Sequence, residues 1–332
     1  MPQPVAAVFV HGIHTLEPGY ETAMREAIFA RLPPHLRDLV TFEPVFWAGR
    51  VRERQKQYLD AAAGQKLFRD GRFRRLVVQG LGDAAAYQKT KSYRNSAYYE
   101  IQSDVRAALE KLDAQGPPDR PLIFIGHSLG CHIVSSFIWD VNTIKNWDEA
   151  RIARADEQEQ AFANYLKGGS PFRRLDTAAG LVMMGSNMPL FTFTFGPDRI
   201  MPITASRSPS DKAAFPGAAL DAATLSRVRW NNYYSRNDLL GYPLKPLNAA
   251  YAKEPLLRDI EVASEGWWQR GVSTVMPKAS TAFTYRAHTG YWTNRRVVRG
   301  AADLIAAIAT AGDAPVTGRF AALKRLIPGG RA

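Results

Sequence analysis

Pro121-Leu122-Ile123-Phe124-Ile125-Gly126-His127-Ser128-Leu129-Gly130-Cys131 is the stretch whose reading decides the fold. Its first five residues form a continuous apolar run, as a central parallel strand needs when both of its faces are covered. From Leu129 to Trp139 the chain is apolar nearly all round, which predicts a buried helix. Between the two stands a complete G-x-S-x-G, Gly126 to Gly130. Glycine and serine are common, so the pentapeptide alone carries little weight. Its place between a buried strand and a helix gives it meaning, because a serine there sits on a sharp, strained turn that lifts its hydroxyl clear of the sheet.

Working outward, Val5 to Val10 is a short apolar run closed by His11-Gly12 and predicts a buried strand ending in a turn. Val40 to Trp47 predicts a second strand. Tyr98, Ile101, Val105, Ala108, Leu109 and Leu112 recur at helical spacing until Gly116-Pro117-Pro118 stops them. Further strands are predicted at Ala178 to Met184, Val228 to Tyr234 and Asp259 to Ala263, and a closing helix over Val297 to Ile308. Strands alternating with helices predict an α/β fold with a mostly parallel central sheet and helices on both faces.

The chain has 332 residues and a net charge of +12, and the charge is uneven. Residues 50 to 94 hold twelve basic and four acidic side chains, and residues 319 to 332 hold four basic and none acidic. The remainder is balanced. With 46% apolar residues the chain can bury a substantial core, which excludes disorder as its overall state. The single cysteine, Cys131, excludes an internal disulfide framework and a Cys-based zinc site within one chain. The N-terminus lacks the charged start of a secretory signal, and no apolar run approaches the roughly 20 residues of a membrane-spanning helix. A cytoplasmic protein is the expectation.

A serine nucleophile needs a base, and the base needs an orienting group. His127 and His132 are too constrained by the turn to serve Ser128, and His11, His14 and His35 precede it. His288, just before the closing helix, is the one candidate well downstream. Asp198, Asp211, Asp221, Asp238, Asp259 and Glu265 lie between Ser128 and His288. Asp238 is preferred, because it follows the strand ending at Tyr234 and would be delivered from that strand's carboxyl end. Its alternative role is to cap the turn before Gly241-Tyr242-Pro243. Asp259 begins its own predicted strand and so would point to the opposite end of the sheet. The turn after the first strand predicts an oxyanion hole from the backbone N–H groups of Ile13 and Leu129.

His11-Gly12, Gly126 to Gly130, Gly185-Ser186, Asp238 and His288 together resemble the α/β-hydrolase superfamily, and within it the lipase-like and esterase-like members. The resemblance spans about residues 5 to 310 and implies a covalent acyl-enzyme intermediate and no cofactor. It implies a serine hydrolase acting on a small-molecule or lipid ester, with acyl transfer, thioester hydrolysis, or a non-catalytic lipid- or partner-binding module as alternatives. One domain over 1–332 is expected, with lid or cap insertions at 50–94 and 187–225 and a basic tail over 313–332. Pro189 to Gly196, with Trp267, Trp268 and Trp292, either lines an apolar acyl pocket or packs the insertion onto the core.

The G-x-G-x-x-A spacing of Gly80, Gly82 and Ala85 is set aside as a dinucleotide site, since only a short apolar run precedes it. No H-E-x-x-H metal spacing occurs. The basic stretches suit nucleic acid, acidic lipid head groups or an anionic substrate, and the first is disfavoured because no nucleic-acid-binding signature accompanies them. A solvated surface is the simpler reading of the same charge.

Overall fold

The apolar runs do form strands: β1 (Val5–Val10), β2 (Val40–Val45), β3 (Leu122–His127), β4 (Ala178–Met184), β5 (Arg229–Tyr234) and β6 (Leu257–Glu261). The computed structural model describes residues 1–13, 15, 17–64, 82–89, 96–193, 195–196, 199–206, 213–263 and 287–313. The six strands make one sheet in the order β2-β1-β3-β4-β5-β6, and every neighbouring pair is parallel. Every residue of β1, β3 and β4 is buried, whereas the edge strands are only partly covered. This is why the central strands read as unbroken apolar runs and β6, Leu-Arg-Asp-Ile-Glu, does not.

Among the described residues six helices run ten residues or longer: α1 (Thr22–Arg31), α2 (Ala48–Gly64), α3 (Ala97–Asp113), α4 (Leu129–Ile144), α5 (Glu157–Lys167) and α6 (Arg295–Ala309). α1 packs on α6, which also touches β1 and β4. α3 and α4 pack on each other, α3 against β1 and β2, α4 against β1 and β3. With both faces of its central strands buried, the sheet is covered by helices on either side. Asn294 caps α6 by accepting from the N–H groups of Arg296 and Val297 at 2.9 and 3.3 Å.

The strand order places the site. The chain leaves β1 toward β2 on one side and β3 lies on the other, so the connections from the carboxyl ends of β1 and β3 diverge, the switch point at which open parallel sheets place their sites. Gly12 and Ser128 stand at those two ends. The fit there is tight: a Cβ on Gly130 would lie 2.2 Å from the carbonyl oxygen of Val10 and 2.7 Å from that of His11. Only a glycine lets α4 start that close to β1.

Part of the basic stretch has a structural use. α2 is amphipathic, with Val51 and Leu59 buried. Arg50 pairs with Asp104 at 2.8 Å and Arg54 with Glu100 at 3.1 Å, both on α3, and Lys89 pairs with Asp140 and Glu159. Three of the five described cations between residues 50 and 94 therefore face acids outside that stretch. Residues 65–81, 90–95 and the tail beyond Asp313 lie outside the described residues. Among the described residues no helix is long and apolar enough to cross a membrane.

One expected position is corrected. β6 begins at Leu257, so Asp259 sits mid-strand rather than at its start. The carboxylate accepts from the N–H groups of Leu244 and Lys245 and from Asn232 Nδ2, at 2.7 to 3.0 Å. The strand was misplaced because an edge strand with alternating polar residues lacks the apolar run that marked the others.

The close approach at Gly130 gives a stability prediction. Gly130→Ala forces backbone apart and is expected to cost about 2–3 kcal/mol. Gly168→Ala, whose Cβ would meet nothing nearer than Asn164 O at 3.5 Å, should stay within about 0.5 kcal/mol of wild type. Urea unfolding midpoints compare the two, and equal midpoints would contradict the packing described.

Candidate active site

Ser128 has φ 53° and ψ −123°, a backbone conformation outside the usual regions for a side-chain-bearing residue. Such a residue costs about 1–3 kcal/mol and persists only where its surroundings over-determine it. Here its N–H donates to Met184 O at 2.9 Å and its carbonyl accepts from Cys131 N at 3.0 Å. The side chain is wholly buried against the β1 turn: a Cβ on Gly12 would lie 2.4 Å from Ser128 Cβ and 3.0 Å from Oγ.

The three side chains named from sequence meet. His288 Nε2 lies 2.7 Å from Ser128 Oγ, and His288 Nδ1 lies 2.9 Å from each carboxylate oxygen of Asp238. All three are buried. Burial pushes the Asp238 carboxyl up. The hydrogen bond from His288 and the electrostatic attraction to its ring outweigh it, helped by the Leu240 N–H and the Tyr291 hydroxyl, and hold the carboxyl below its ordinary value. An ionised carboxylate can only accept, so Nδ1 carries the imidazole proton and Nε2 is left to accept from the Ser128 hydroxyl.

The remaining acids divide clearly. Asp221 caps the helix Ala222–Arg227 by accepting from Thr224 N at 2.7 Å, and Asp259 braces residues 244–245. Asp198, Asp211 and Glu265 lie outside the described residues, as does His14. Asp238 does accept from Leu240 N at 2.9 Å, so the turn-capping role and the histidine contact are held by the same carboxylate.

Two further side chains shape the site without being foreseen. Tyr291, one helical turn after His288, donates its hydroxyl to Asp238 Oδ2 at 2.9 Å. Gly185, at φ +57°, admits both groups, since a Cβ there would lie 2.8 Å from the Tyr291 ring and 3.0 Å from Asp238 Oδ2. His127, next to the serine, puts Nε2 2.7 Å from the carbonyl oxygen of His288. That carbonyl must accept, so His127 donates and pins the backbone of the histidine that faces Ser128. Three-residue spacing from His288 was the available signal for Tyr291. None existed for His127.

The β1 turn is fixed by His11. Trp47 N–H donates to its Nε2 at 3.2 Å, so its Nδ1 carries the proton and donates to Gly12 O at 2.7 Å. The Trp47 ring stacks on the imidazole with centroids 4.7 Å apart and donates Nε1–H to His11 O. Ile13 N–H is thereby held one peptide link from the residue that abuts Ser128, and Leu129, as the first residue of α4, has an N–H with no intrahelical acceptor. Burial lowers the pKa of both His11 and His127 to about 3, so both are neutral at pH 7.

Of the aromatics expected at an acyl pocket, Trp292 is half-buried and packs against Phe9, Tyr20 and His127. Trp267 and Trp268 lie outside the described residues. Among the described residues no group of three His, Cys, Asp or Glu side chains gathers as a metal ion would require. No family model, curated protein or solved structure matches the chain. The reading of function therefore rests on the geometry of the chain itself.

His11 and His127 give the site a pH signature. Both stay neutral in the folded chain down to about pH 3, while the unfolded chain protonates them near 6.5. Their contribution is complete above pH 6.5 and is lost as pH falls toward 3. The loss is about 1.4 kcal/mol per histidine per pH unit once below 6, or roughly 4 kcal/mol between pH 7.5 and 5.0. Urea midpoints across that interval should fall steeply. A flat profile would contradict two neutral buried imidazoles.

Proposed function

We propose that the chain is a serine hydrolase with an α/β-hydrolase fold, cleaving a carboxylic ester through an acyl-enzyme. The observation that carries this reading is the unbroken relay from Ser128 Oγ to His288 to Asp238 on a strained strand-to-helix turn. The six-stranded parallel sheet is compatible with that fold.

In the first half-reaction Ser128 Oγ attacks the ester carbonyl carbon as its proton passes to His288 Nε2. The carbonyl oxygen becomes an oxyanion beside the N–H groups of Ile13 and Leu129, and the imidazolium is stabilised by Asp238. When the tetrahedral intermediate collapses, the ester C–O bond breaks and Nε2 returns the proton to the leaving alcohol. Water then repeats the sequence on the acyl-enzyme, and the acid leaves with Ser128 restored. The neutral His11 and His127 bring no positive charge that would compete for Asp238.

A fluorophosphonate probe tests this directly. Wild type should be labelled, Ser128→Ala should not, and His288→Ala should be labelled far more slowly. Asp238→Asn leaves the size of the side chain unchanged and should lower ester turnover by about 10²–10⁴-fold. A folded wild type that resists labelling would favour a non-catalytic binding module instead, and near-normal turnover in Asp238→Asn would remove the relay from the mechanism.

A further inference from the structure

Asp238 accepts from three groups, and His288 shares each carboxylate oxygen with one other donor. His288 Nδ1 lies 2.9 Å from both oxygens, while Oδ1 also takes the Leu240 N–H and Oδ2 the Tyr291 hydroxyl, each at 2.9 Å. Backbone closes in on Oδ2 from two sides: a Cβ would lie 3.0 Å from it at Gly185 and 2.2 Å at Gly241. Among the described residues its donors are therefore His288 and Tyr291 alone. The Leu240 N–H comes with the chain whatever the side chain there, so Tyr291 is the one donor to Asp238, besides His288, that a side chain supplies.

Tyr291 is held as a fixed donor. Its ring is buried on the short 3₁₀ turn Gly290–Thr293, and its carbonyl accepts from the Asn294 N–H at 3.2 Å, at the cap of α6. Burial and the charge of Asp238 push the phenol well above its ordinary value, so the hydroxyl keeps its proton. The other titratable groups facing the Asp238–His288 pair among the described residues are Ser128 at Nε2, His127 with its ring centroid 5.0 Å from that of His288, and Cys131 near Tyr291. Burial lowers His127 to about 3 and raises Cys131 to about 12, so both are uncharged near neutral pH. Among the described residues no lysine, arginine or second carboxylate pairs with Asp238 or His288.

We infer that Tyr291 is a positioning residue that, by sharing Asp238 Oδ2 with His288, moderates how tightly the Asp238–His288 pair holds the proton taken from Ser128. The inference rests on the serine-hydrolase reading and adds to it the residue that governs its base. A hydrogen bond donated to a carboxylate favours the charged form, and the charge it draws from Oδ2 is charge that the imidazolium no longer feels. The base must take a proton in one step and return it to the leaving alcohol in the next, so a pair that holds the proton too tightly is slow to give it back. Tyr291 acts through Asp238 and touches neither Ser128 nor the scissile bond.

The experiment follows the rate of fluorophosphonate labelling against pH in wild type, in Tyr291→Phe and in a chain carrying ortho-fluorotyrosine in place of Tyr291. Circular dichroism at each pH shows which chains are folded. Labelling slows on the acid side as the pair takes up a proton, and the two groups titrate as one. Without the hydroxyl the pair holds that proton more tightly, so the acid limb of Tyr291→Phe should move to higher pH by about half a unit or more, an about threefold loss of rate on that limb. The fluorinated ring is a more acidic phenol, donates more strongly and should move the limb to lower pH. A side chain that only packs would change the rate by one factor at every pH and leave the limb in place. An unmoved or reversed limb in folded Tyr291→Phe, or in the fluorinated chain should Tyr291→Phe not fold, would overturn the inference while leaving the serine hydrolase standing. A folded wild type that is neither labelled nor active on p-nitrophenyl esters would overturn that reading, and the inference with it.

Discussion

A single strained residue organises this molecule. Ser128 keeps φ at 53° because β3 is clamped between β1 and β4, its own N–H is spent on Met184 O, and α4 begins directly behind it. The clamp works only where side chains are missing. Gly12 and Gly130 let the β1 turn and the start of α4 close on the serine from two directions, and any Cβ there would fall within 2.4 Å of a neighbour. Packing at the carboxyl ends of β1 and β3 thus sustains a turn that local energetics disfavour.

Around that turn, buried polar groups have their hydrogen-bonding roles fixed by their partners. Four donors converge on or support the relay: His288 and Tyr291 on Asp238, Leu240 N–H on the same carboxylate, and His127 on the backbone of His288. His11 does the corresponding work for the β1 turn. Of the described cations of the basic stretch, Arg50 and Arg54 on α2 and Lys89 face acids of α3, α4 and α5, while Arg52 donates to Thr15 O beside the β1 turn. Arg50 and Arg54 dock α2 on α3, and the relay is built by neutral donors and one carboxylate.

How much of this is legible in the sequence follows from what is local. The strands at the centre of the sheet are readable because burial on both faces demands apolar residues at every position, as in Val5–Val10 and Ala178–Met184. The elbow is readable because strand, glycines, serine and helix are contiguous. His288 follows by elimination, and Asp238 by its place after β5. What escapes is non-local or lacks periodicity: β6 is displaced by two residues because its edge exposes Arg258 and Glu261, and Tyr291 and His127 act through contacts made only after the strands assemble. The switch point between β1 and β3 depends on strand order, which no single segment encodes.

The central claim is that Ser128 forms a covalent bond to the acyl group of an ester. The most direct measurement is rapid-quench mass spectrometry during hydrolysis of a p-nitrophenyl ester, with p-nitrophenol release followed in parallel. The account predicts a burst approaching one p-nitrophenol per chain and a matching acyl adduct on the peptide that carries Ser128. Turnover with no burst and no adduct, or an adduct that persists in Ser128→Ala, would contradict it.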